Sequence, residues 1–123
     1  MQNRRQQFGE KGESIAVKQL KKEGYKILER NYRNKLGEID IIARDGEVIT
    51  FIEVKARKSE KFGTPRHAVT PAKQKKISMV ALSYLKEKNQ FGKRARFDVV
   101  TINSQSSNNT VSVIKNAFDL AHT

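Results

Sequence analysis

The dipeptide Asp45-Gly46 narrows the fold of this chain more than any other feature. It separates two β-rich runs, Glu38–Arg44 and Glu47–Ala56. A two-residue turn of this chemistry joins neighbouring antiparallel strands. With Asp45 and Gly46 as the turn, Arg44 faces Glu47, Ile42 faces Ile49, Asp40 faces Phe51 and Glu38 faces Glu53. Side chains alternate along each strand, and opposed residues share a face. One face then carries Ile39, Ile41, Ala43, Val48, Thr50, Ile52, Val54 and Ala56, which is core. The other carries Glu38, Asp40, Ile42, Ile49, Phe51, Glu53 and Lys55. Its outer end is apolar and must also be covered, yet three acids and a lysine gather at the other end.

That gathering has a chemical meaning. On this register Asp40 and Glu53 are diagonal neighbours, about 7–8 Å apart, and can lean together over one cation. Without a cation, like charges on a half-buried sheet repel and lose solvation. The plainer alternative is a solvated face with a Glu38–Lys55 or Glu53–Lys55 ion pair, worth about 0–1 kcal/mol. The chain has no cysteine, and its two histidines are His67 and His122. A site of thiolates or several histidines is therefore excluded, and oxygen ligands favour Mg2+ or Mn2+.

The remaining pattern supplies the rest of a single α/β domain spanning residues 1–123. Gly9–Glu23 is predicted to be a helix with Ala16, Val17 and Leu20 on its buried stripe. Residues 1–7 are expected to form a flexible basic tail. Tyr25–Tyr32 is a predicted strand, and Arg57–Thr70 a loop. Thr70 is suited to cap a second helix with Pro71 in its first turn and Ile77, Val80, Ala81, Tyr84 and Leu85 on one face. Two strands follow, Ala95–Ile102 and Thr110–Ile114. A meander followed by a helical crossover gives a mixed sheet flanked by helices. Glu13 lies on the first helix's buried stripe, as a further metal ligand or as a partner of the helix dipole, the role also open to Glu10.

Charge points to a partner. Lys and Arg number 25 against 13 acids, a formal net charge of +12. Such self-repulsion is best relieved by a polyanion, and nucleic acid is the natural one. No apolar run of about 18 residues is present to span a membrane, and the polar N-terminus is no secretory signal, so a cytoplasmic protein is expected. Arg33, Lys35, Arg57, Lys58 and Arg66 flank the acids in loops and could follow a phosphate backbone, with Tyr32 available for stacking. Lys73, Lys75 and Lys76 oppose the dipole of the second helix, which suits either phosphate contact or a solvated lysine face. His67 reads as a loop residue, and Asp98 as the structural partner of a nearby arginine.

Several short motifs together resemble one family. Gly12-Glu13-x-x-Ala16, Asn31-Tyr32-Arg33, Gly37-Glu38-Ile39-Asp40, Phe51-Ile52-Glu53-Val54-Lys55-x-Arg57, Gly63-x-Pro65, Arg96-Phe97-Asp98-Val99-Val100 and Asn116-Ala117-Phe118 look like the YraN-type bacterial proteins, a group of predicted endonucleases. That group is similar to archaeal Holliday-junction resolvases and to the PD-(D/E)XK nucleases of restriction-endonuclease-like fold. The resemblance implies a helix, three strands, a helix and a strand as the fold's core. It implies Asp40 and Glu53 as metal ligands, Lys55 as the catalytic lysine, Glu13 as a helix-borne ligand, and Glu38 as a supporting or extra ligand. Ile39 replaces the motif proline, and Gln74 is followed by Ser78 rather than the tyrosine of exonuclease relatives. The implied activity is Mg2+-dependent endonucleolytic hydrolysis of DNA, branched or junction DNA included, by a homodimer. The alternatives are a nucleic-acid-binding protein that keeps the fold without catalysis, and a basic partner of ribosomes or repair complexes.

Overall fold

The structure is a computed structural model that describes residues 4–57, 69–103 and 110–120, excepting the side chains of residues 4–11 and Arg57. The elements run α1 (Arg4–Lys22), β1 (Lys26–Asn34), β2 (Gly37–Asp45), β3 (Val48–Arg57), α2 (Pro71–Glu87), β4 (Ala95–Asn103) and β5 (Thr110–Phe118). The five strands form one mixed sheet in the order β1-β2-β3-β4-β5. β1, β2 and β3 are an antiparallel meander, α2 carries the chain over to β4 parallel to β3, and β5 returns antiparallel. This is the α/β architecture expected from the sequence. Most boundaries shift by one or two residues, and two shift by more. α1 begins at Arg4 rather than Gly9, so Arg4–Gln7 are helical instead of a tail, and β5 runs to Phe118 rather than Ile114.

Each sheet face has its own core. The α1-side core joins Ala16 and Leu20 of that helix to Tyr25, Ile41, Ala43, Ile52, Val100 and Ile102. The α2-side core joins Ile77, Val80, Ala81, Tyr84 and Leu85 of that helix to Ile39, Ile42, Ile49, Phe51, Val69, Phe97 and Val99. α2 starts as its sequence predicts, with the Thr70 hydroxyl accepting from the Lys73 N–H at 3.2 Å and Pro71 next. Gly37 opens β2 beneath this helix, with φ +151°; a Cβ there would come within 3.3 Å of Val80 Cγ2.

The hairpin turns one residue later than expected. Asp45 pairs with Val48, so Gly46 and Glu47 are the turn residues. Gly46 alone takes a positive φ (63°), the pattern of a turn with glycine at its first central position. Asp45 stays in the strand because its carboxylate is held at 2.7 Å by Arg96 and 3.2 Å by Lys115. The pairing moves by two residues, an even number, so the two strands keep their relation of faces. Ile42 now faces Phe51, and Ile41 faces Ile52.

One predicted face assignment is overturned. Ile39 packs with the α2-side core although Ile41 packs on the α1 side. Residues two apart in a regular strand share a face, so β2 turns over at Asp40. The neighbouring strand is irregular at the same level: Asn31 has φ 53°, and the register pairs Arg30 with Ile41 and Tyr32 with Ile39 around it.

Candidate active site

The irregularity at Asp40 shapes the site. The β2–β3 ladder ends at Ile41–Ile52, and Asp40 and Glu53 are the next residue on each strand. One further step of that register sets them opposite each other, where the expected register set them on a diagonal. Asp40 Oδ2 accepts the backbone N–H of Val54 at 2.8 Å. This bond ties the carboxylate between the two strands.

Glu53 is buried, 6% exposed, in a chain whose other acids mostly reach solvent. Burial, then the negative charge of Asp40, pushes its carboxyl up to about 7, while Lys73 and Lys55 pull the other way. Asp40 is also raised, first by burial, although the Val54 N–H opposes that shift. The two carboxyls interact directly. Lys55 Nζ lies 3.6 Å from Glu53 Oε1, and Lys73 Nζ lies 3.9 Å from the same oxygen. Both ammonium groups remain partly exposed. Two acids and two lysines thus converge from β2, β3 and the first turn of α2.

The structure sorts the other candidates. Glu13 lies on α1; with its amide nitrogen turned toward it, Asn31 donates to the Glu13 carboxylate at 2.8 and 3.2 Å. Among the described residues no group of three or more His, Cys, Asp or Glu side chains is placed to hold a metal ion. Glu38 is held across the ladder by Arg33 at 2.9 Å, not by Lys55, and reaches the pair only through its charge, which raises Asp40. Lys35 is exposed in the β1–β2 turn and Lys75 and Lys76 are exposed on α2. Arg57 ends β3, whereas Lys58, Arg66 and His67 lie outside the described residues. The Tyr32 ring meets Tyr84 edge-on at 5.2 Å, and its hydroxyl donates to Glu87 at 2.8 Å.

The contact of Lys73 with Glu53 is what the sequence did not show, because nothing local reveals that the first turn of α2 overlies Glu53. Asp98 behaves as expected of a structural acid. It is fully buried, takes Arg96 Nε at 2.8 Å, the Tyr25 hydroxyl at 2.9 Å and the Asn116 N–H at 2.9 Å. The Asp98 and Asp45 carboxylates keep the Arg96 guanidinium firmly protonated, and the Arg96 hydrogen bond holds Asp45 below the usual carboxylate range.

Fold and site together define a basic α/β protein in which a mixed five-stranded sheet presents a carboxylate pair, Glu53 buried and Asp40 half-buried, flanked by lysines. The chain belongs to the family described as "Uncharacterised protein family UPF0102", whose family model matches residues 12–102. A UPF0102 protein of Desulfosudis oleivorans is 55% identical over 119 residues, covering 97% of this chain and 95% of its own. Those of Syntrophus aciditrophicus and Caldicellulosiruptor saccharolyticus are 49% and 45% identical, covering 93% of this chain and 90% and 98% of their own. The resemblance to YraN-type proteins thus stands as family membership. No helix among the described residues is long and apolar enough to cross a membrane.

Proposed function

We propose that this protein is a metal-dependent endonuclease that hydrolyses phosphodiester bonds in DNA. One observation carries the reading: Asp40, half-buried, and Glu53, buried, interact directly, with two ammonium groups beside the Glu53 oxygen. Electrostatics makes that arrangement costly in the metal-free protein, as the raised Glu53 carboxyl records. A doubly charged hard cation fits these donors. Mg2+ is commonly held by one or two carboxylates, with water and substrate phosphate completing its shell. Asp40 and Glu53 would hold it, and it would supply Lewis-acid polarisation of the phosphate and a more acidic bound water.

The chain's own groups divide the remaining work. Asp40 is kept in place by the Val54 N–H, so its second oxygen stays directed by the backbone of β3. Lys55 is close enough to the pair to orient a water or to balance charge building on the phosphate oxygens. Lys73 restrains Glu53 from the α2 side. The net charge of +12 supports a polyanionic substrate. Likeness of the motifs to resolvases supports branched or junction DNA, and a homodimer that cuts paired strands.

The test is cleavage of linear, flap and four-way DNA with Mg2+ or Mn2+, alongside Asp40→Asn and Glu53→Gln. Metal-dependent nicking that both variants abolish is the expected result. Tight, salt-sensitive binding with no cleavage under either metal would replace the enzyme by a binding protein on the same fold.

A further inference from the structure

The end of α2 remote from the carboxylates borders a second feature. A cleft of about 800 Å³ is lined by Arg44, Lys88, Lys93 and Arg94, with Glu47 as the one acid in its lining. It is built from the β2–β3 turn, the last turn of α2 and the segment leading into β4. Tyr84 and Ile49 form part of the wall.

The four cations are not accounted for by the fold. Among the described residues none of them has a carboxylate within ion-pair distance; Lys88 instead sits 5.9 Å over the Tyr84 ring. Cations often gather at a helix C-terminus to meet its open carbonyls. Here the backbone N–H groups of Lys88, Gln90 and Asn89 already occupy the carbonyls of Tyr84, Leu85 and Lys86. Arg94 is positioned through its main chain, whose carbonyl accepts from the Ile49 N–H at 2.9 Å, so its side chain is spared for another use. A cleft lined by so much unbalanced positive charge disfavours an apolar ligand and suits an oxyanion.

The geometry points to a phosphate-binding cleft that takes the backbone of a nucleic-acid strand at the far end of α2. It stands apart from the Asp40–Glu53 pair. Lys73 and Lys88 bracket the helix, and 15 residues of helix span about 22 Å. A strand seated there contacts the protein well away from the carboxylates, whether or not the carboxylates hydrolyse anything. Phosphate oxyanions are the shared chemistry, and a free diphosphate is the other source of them.

The experiment uses the full chain in EDTA, which separates it from the cleavage assay: the cleft can fail with hydrolysis intact, and the reverse. Anisotropy of a labelled duplex is followed against salt for Lys93→Gln/Arg94→Gln and for a charge-matched control, Lys21→Gln/Lys22→Gln, on exposed positions of α1 across the sheet. Loss of two phosphate contacts lowers the slope of log K against log salt by about two, and weakens low-salt binding about tenfold. That result in the cleft variant alone, with pyrophosphate shifting the Gly92, Lys93 and Arg94 amides and competing with the duplex, is expected. Equal loss in both variants reduces the effect to net charge and overturns the proposal. So does pyrophosphate binding in the cleft with duplex affinity indifferent to Lys93→Gln/Arg94→Gln, which assigns the cleft to a free phosphate ligand. Circular dichroism of both variants confirms that the comparison is between folded proteins.

Discussion

Asp40 Oδ2 takes the backbone N–H of Val54 at 2.8 Å, so a side chain closes the gap where the β2–β3 ladder ends. The same carboxylate is thereby both a structural acceptor and a candidate metal ligand. Substitutions separate the two roles. Asp40→Asn keeps an acceptor for Val54 and should leave stability within about 1 kcal/mol, whereas Asp40→Ala strands the donor and should cost about 1–3 kcal/mol. Urea unfolding measures that difference. Both variants should lose cleavage equally if the carboxylate charge is what the site needs.

Metal-free stability should fall as pH rises from about 5 to 8. The Glu53 carboxyl is raised from its usual value to about 7 in the folded protein, so the folded state binds its proton more tightly than the unfolded chain. Stability from this source is complete below the unfolded value, near 4.5, and is lost as pH climbs through about 7. The loss is on the order of 2 kcal/mol. Thermal unfolding at several pH values in EDTA should show it, and millimolar Mg2+ should reverse it at pH 8. A flat profile would remove the buried-pair description.

Glu53→Gln should stabilise the metal-free protein at pH 8. It deletes the repulsion with Asp40 while keeping the shape of the side chain, a gain of about 1–2 kcal/mol. The same change should abolish Mg2+-induced stabilisation. Differential scanning fluorimetry with and without Mg2+ reads both effects.

Arg96 binds Asp98 and Asp45 at 2.8 and 2.7 Å, with the Asp98 carboxylate fully buried. Arg96→Met should leave that buried charge uncompensated and cost about 3–5 kcal/mol. Asp98→Asn, which removes the charge and keeps an acceptor for Asn116, should cost less. The ranking is checked by guanidinium unfolding, and a smaller penalty for Arg96→Met would contradict it.

Gly37→Ala should destabilise by about 1–3 kcal/mol, because φ +151° strains an L-residue and the new methyl lies 3.3 Å from Val80 Cγ2. Chemical denaturation measures it. The site should retain its affinity for Mg2+ in the folded fraction.

Legible in the residues alone were the element order, the N-cap at Thr70, the apolar faces of the hairpin apart from Ile39, and the convergence of Asp40 with Glu53. Each follows from local periodicity or turn chemistry, and the relation of strand faces survives a two-residue change in pairing. The turn residues depend on long-range contacts, because Arg96 and Lys115 reach Asp45 from β4 and β5 and hold it in the strand. The three-dimensional fold alone showed β2 turning over at Asp40, where Asn31 opposite adopts a left-handed conformation. It also placed Lys73 beside Glu53 and the Tyr32 hydroxyl on Glu87, contacts between residues 20 and 55 positions apart in the chain. Spacing along a strand or helix reports which side a residue takes; the neighbour that meets it there comes from packing α2 across the sheet.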